Sequence, residues 1–68
     1  MQVTAILTRA EEGGFVAFNP ETGTTSQGDS VDDAIANLRE AVELYLDVFP
    51  MKLMGAPLVT TFAVQEDA

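Results

Sequence analysis

The stretch EEGGFVAFNP, residues 11–20, sets two acids and two adjacent glycines before an aromatic-rich run that stops at Asn-Pro. A phosphate-binding loop needs a strand that leads through glycines into a helix, so that backbone amides and the helix N-terminus converge on the anion. Here the glycines lead into FVAFN, in which Phe15 and Ala17 alternate with Val16 and Phe18, the period of a strand. Glu11 and Glu12 would also repel a phosphate. Upstream, Val3, Ala5 and Leu7 alternate with Gln2, Thr4 and Thr8, interrupted by Ile6, and predict a strand over residues 2–9. Strand, short Gly loop and strand read as a β-hairpin, with Gly13 and Gly14 able to take positive φ.

Beyond the hairpin, NPETG (residues 19–23) reads as a second turn. TTSQ reads as a short polar strand suited to an exposed sheet edge, broken at Gly28. Ser30 is a good N-cap, Asp33 sits three residues on as a capping-box partner, and Asp29, Asp32 and Asp33 suit the positive end of a helix. Val31, Ala34, Ile35, Leu38, Val42, Tyr45, Leu46 and Phe49 recur at steps of three and four, which puts them on one face of a helix ending near residue 48 or 49, before Pro50. Ala41, Leu44 and Val48 widen that apolar sector along one flank. They suit either a broad stripe on a sheet or a subunit contact.

After the connector PMKLMGA, PLVTTFAV (residues 57–64) alternates Leu58, Thr60, Phe62 and Val64 with Val59, Thr61 and Ala63 and predicts a fourth strand. The predicted architecture is α+β, in the order β-β-β-α-β. The helix returns the chain by a right-handed crossover, giving a four-stranded sheet of order 3-2-1-4 with the helix on one face. One helix cannot cover two sheet faces. Ile6, Val16, Phe18 and Val59 would lie on the reverse face, and the fourth strand would be an apolar edge that invites pairing; Ile6, Val16, Phe18, Leu58 and Phe62 are the expected oligomer contacts.

Whole-chain properties point the same way. A chain of 68 residues is one domain with a small core. It has no cysteine for a disulfide and no Cys/His set for zinc, so oligomerisation is the remaining common route to stability. Eleven acids against three bases give a net charge of −8, which disfavours nucleic acid and anionic membrane and favours a basic partner. The start MQVTAILTR has no basic n-region or long apolar core, and no apolar run nears the roughly 20 residues of a membrane span. With cysteine absent, the expected location is cytoplasmic.

The ordered run EEGGFVAFNPETGTTSQGDSVDDAIANLREAVELYL, followed by PLVTTFAV, resembles the HicB family of antitoxins over most of the chain. The resemblance implies a partial RNase H-like domain that binds and blocks a HicA toxin, a small basic RNA-cleaving protein. Many HicB proteins add a C-terminal ribbon-helix-helix or helix-turn-helix that binds an operator. Here the expectation is a single domain over residues 1–68 without that segment. Thr24 and Thr25 also depart from the more apolar third strand expected of the family.

An RNase H-like fold raises the question of nuclease chemistry, which needs carboxylates converging on two metal ions. The first strand holds no acid, Glu11 and Glu12 sit at a loop tip, and Ser30 has a cap role. No catalytic, cofactor or metal residue is therefore assigned, and the chain is expected not to be an enzyme. The partner surface is expected on the outer helix face and the last strand: Asp32, Asp33, Glu40, Glu43, Asp47, Val59 and Thr61. Asp32, Asp33, Glu40 and Glu43 less Arg39 leave −3, before Asp47 is counted. A purely solvated face is the bland reading of those acids. The competing reading of the whole chain is an oligomeric structural or regulatory domain with no toxin partner.

Overall fold

The computed structural model describes residues 1–52, 54–55 and 57–66. Its elements are β1 (Ile6–Arg9), β2 (Phe15–Asn19), β3 (Thr24–Gly28) and α1 (Val31–Val48). The strands form one antiparallel sheet of order β1-β2-β3. In the first hairpin Gly13 and Gly14 have φ of 101° and 79°, and the Ala10 and Gly13 amides donate to Gly14 and Ala10 carbonyls to close the bend. The second strand spans the predicted residues. The first is shorter than the alternation predicted: ladder pairing begins at Ile6, and before it Thr4 bonds to the Asn19 and Glu21 side chains instead.

The register sorts the two sheet faces. Ile6 pairs with Phe18 and Phe18 with Thr25; Leu7 pairs with Ala17 and Ala17 with Ser26. Directly paired residues share a face, so Leu7, Phe15, Ala17 and Asn19 look toward the helix, and Ile6, Val16 and Phe18 look away. Ala17, Ala34, Leu38 and Val42 are the buried core, with Ala5, Leu7, Phe15 and Leu46 packed around them.

Helix α1 begins as its sequence dictates. Ser30 has extended backbone, and its Oγ accepts the Asp33 amide at 3.1 Å. Gly28 permits the close approach that follows: a Cβ there would lie 2.5 Å from the Ala34 nitrogen and 2.7 Å from the Asp33 carbonyl carbon. Asn37 Nδ2 donates to the Gln27 carbonyl at 2.8 Å and ties the helix to β3. The helix therefore lies mainly over β3 and β2. It ends at Phe49, whose amide caps the Tyr45 carbonyl and whose ring lies 5.2 Å from that of Tyr45.

Among the described residues the expected fourth strand is absent, and the sheet order is β1-β2-β3 rather than 3-2-1-4. Residues 57–66 belong to no strand and are exposed, Leu58 at 98% and Phe62 at 85%. The physical reason lies in the segment's own pattern. Both its faces are apolar, but the helix covers only one face of the sheet. Docked at an edge, it would still leave one apolar side in water, while ordering it costs about 1–2 kcal/mol per residue in backbone entropy. The Cα radius of gyration is 14.0 Å, whereas a compact chain of this length has about 11 Å. Elongation to 46 Å along the longest axis reflects that projecting segment.

Candidate protein-interaction surfaces

The polar side of α1 carries the chain's densest charge. Asp32, Asp33, Glu40, Glu43 and Asp47 are all exposed, as is Arg39. One rigid helix holds these carboxylates, so they form a fixed stripe rather than a set of mobile loop charges. The last turn has no basic residue, so the negative end of the helix dipole adds to the field. Beside the stripe, Leu44 and Val48 are 66% and 64% exposed. Of the wide apolar flank, Ala41 is half-buried, whereas Leu44 and Val48 remain in solvent.

A second surface is the sheet face away from the helix. Ile6 and Val16 are half-buried there and Phe18 is 38% exposed, with Thr8, Thr25 and Gln27 around them. The structure places Ile6, Val16 and Phe18 together as the strand alternation required. It does not bring Leu58, Val59, Thr61 or Phe62 to them; these four lie on the projecting segment. The expected sites thus separate into an acidic helix stripe, a reverse sheet face and an unpaired apolar segment.

The opening Gly loop does sit near a helix N-terminus. Gly13, Phe15, Gln27, Gly28, Asp29 and Asp33 line part of a cleft of about 480 Å³. Glu12, Asp29 and Asp33 surround it, so the amides there face carboxylates, which oppose an anion. Arg9 lies over the Phe15 ring, 5.4 Å from its centroid, and is occupied by that contact. Among the described residues no three acids gather closely enough to hold a metal ion.

Sequence reasoning missed the most connected polar group. Asn19 is fully buried. Its Nδ2 donates to the Thr4 carbonyl at 2.8 Å and to Glu21 Oε1 at 2.7 Å, and its Oδ1 accepts from the Thr22 amide and hydroxyl. The Glu21 carboxylate also accepts the Thr4 amide at 3.0 Å and hydroxyl at 2.8 Å. These bonds, the Thr4 amide first, hold the Glu21 carboxyl below its ordinary value of 4.5. The network pins residues preceding β1 beside the β2–β3 turn. Its only signal in sequence is the Asn-Pro-Glu-Thr order of the turn, which names a turn but not the strand it grips.

Comparison with known proteins adds a relationship without an activity. The chain is 44% identical over 45 residues to a UPF0150 protein of Synechocystis sp., covering 65% of this chain and 57% of that protein. It is 40% identical over 47 residues to a second Synechocystis UPF0150 protein, covering 68% and 65%, and 43% identical over 47 residues to one from Helicobacter pylori, covering 68% and 64%. The match thus spans less than two thirds of each relative's length. No protein-family model matches the chain, and no solved structure matches it significantly. Among the described residues no helix is long and apolar enough to cross a membrane.

Proposed function

We propose that the chain is an antitoxin-like binding domain of HicB type, which neutralises a small basic HicA-type RNA-cleaving toxin by direct protein contact. The observation that carries this reading is the stripe of exposed carboxylates on α1. A basic protein that grips RNA phosphates presents cations, and a rigid anionic stripe of this kind competes for them. Long-range attraction speeds encounter, and contact with apolar groups beside the stripe holds the complex. Leu44 and Val48 supply such groups. The similarity to UPF0150 proteins is compatible with this reading and names no activity.

The test is reconstitution. The reading requires that an adjacent reading frame encode a short basic protein; that product is co-expressed with this chain, and RNA cleavage is measured against the ratio of the two. Cleavage that stops near equimolar ratio supports the proposal; cleavage undiminished by excess of this chain refutes it. A second reading, an oligomeric structural or regulatory domain with no toxin, is favoured by the apolar reverse face and by the exposed segment 57–64. It predicts self-association with no effect on any cleavage.

A further inference from the structure

We infer that residues 57–64 of one copy form the missing neighbour of β1 in a second copy, so that two chains exchange these segments reciprocally. The inference is independent of the toxin reading and rests on the complementarity of two unsatisfied features.

The first is an open edge with a groove beside it. Among the described residues β1 pairs with β2 on one side only, so its outer edge presents unpaired amides and carbonyls. Continuing from that edge, between the residues that precede β1 and the helix, runs a groove of about 710 Å³. Val3 and Ala5 line one wall and Ile35, Leu38, Val42 and Leu46 the other. The helix leans toward β3, which leaves this side of the core without a cover.

The second is the segment itself. It carries no charged residue, whereas the chain bears −8. It can therefore approach another copy without like-charge repulsion from its own side chains, and the groove's own Arg39 and Glu43 offset each other. A basic protein, by contrast, gains nothing from a neutral groove and is drawn to the acidic stripe. The segment's eight residues match the length of residues 2–9 along the edge. Placed there, Leu58, Phe62 and Val64 enter the groove, while Val59 joins Ile6, Val16 and Phe18 on the reverse face. Both apolar faces then gain cover, because two reverse faces brought together in the dimer can close on each other. A single chain cannot provide that second cover, and here its segment extends away from its own edge, Leu58 and Phe62 being almost fully exposed. Exchange of an element that fails to pair within its own subunit is a common route to a two-fold dimer.

The absence of native cysteine makes the test direct. Thr8 is exposed on the reverse face, and Val59, Thr61 and Ala63 share one side of the alternating segment. Full-length double variants combine Thr8→Cys with Val59→Cys, Thr61→Cys or Ala63→Cys, followed by mild oxidation and non-reducing electrophoresis. The expected result is a covalent dimer from at least one pair, and mixed disulfides between chains carrying one cysteine each. A monomer with an internal disulfide would show that the segment closes on its own edge and would overturn the inference. No disulfide from any pair would overturn it too. Sedimentation supplies a second readout: the wild type is expected to be a dimer at micromolar concentration, and Phe62→Asp to raise its dissociation constant at least 100-fold. A wild-type monomer, or a dimer indifferent to Phe62→Asp, contradicts the exchange.

Discussion

Residues 15–19 and residues 57–64 carry the same kind of signal, alternating apolar side chains rich in β-branched and aromatic types, yet one is the central strand and the other pairs with nothing. FVAFN lies between two glycine-containing turns that return the chain to it from both sides, so its neighbours arrive at little loop-closure cost. PLVTTFAV follows an 18-residue helix and must find its partner without a tight turn to deliver it. Alternation therefore states what a segment can do once it is paired. Whether a partner is supplied is a separate question, decided by topology and by how many faces have cover.

Substitutions in the two regions sharpen that contrast. In the body, Leu38→Ala should cost about 2–5 kcal/mol, read by chemical denaturation, since Leu38 is 3% exposed at the centre of the core. In the projecting segment, Phe62→Ala should change the stability of a dilute, dissociated subunit by less than about 0.5 kcal/mol, although phenylalanine is the larger side chain. Equal losses from the two changes at low concentration would mean that the segment packs on its own subunit. Asn19→Ala should come next, at about 1–3 kcal/mol, because it strands the Thr4 carbonyl and the Thr22 amide at once. Ser30→Ala removes the acceptor of the Asp33 amide and should cost about 1 kcal/mol.

The smallest expected effect is a pH dependence. Glu21 has a lowered carboxyl pKa in the folded state. Its contribution is fully present above the ordinary value of 4.5 and declines as pH falls toward the lowered folded value, below which none remains. Glu21→Gln should therefore narrow the stability gap between neutral and acidic solution. An unchanged pH slope in that variant would show that the carboxylate is not held by Thr4.

The hairpin, both turns, the cap and the helix were legible because each is written locally. Gly13 and Gly14, the Asn19–Pro20 turn, Ser30 and the three-four spacing from Ala34 to Leu46 each imply their conformation without knowledge of the rest. The acidic stripe was legible for the same reason, since helical spacing places it. Two things were not. The grip of Asn19 and Glu21 on Thr4 joins residues 15 and 17 positions apart through partly buried hydrogen bonds, and no periodicity encodes such a pairing. The fate of residues 57–64 depends on cover for two faces, and a pattern read along one chain counts only the apolar side chains, not what is available to bury them. The uncovered reverse face of Ile6, Val16 and Phe18 was foreseen; its consequence for the last segment was not.

Salt separates the two contacts this molecule is proposed to make. Association with a basic partner should weaken as salt rises, whereas association of two copies, each at −8, should strengthen as repulsion is screened. Glu40→Lys with Asp47→Lys, both outside the groove, should slow capture of the basic partner by about 10-fold or more and leave self-association intact or tighter.

The most direct test is amide hydrogen exchange of residues 57–64, followed as protein concentration rises from well below to well above the association midpoint. A segment that finds its sheet in another molecule should exchange at nearly the free-chain rate when dilute and become protected in step with dimer formation. Rates that stay fast at every concentration, or protection already complete in the dilute subunit, would contradict the account.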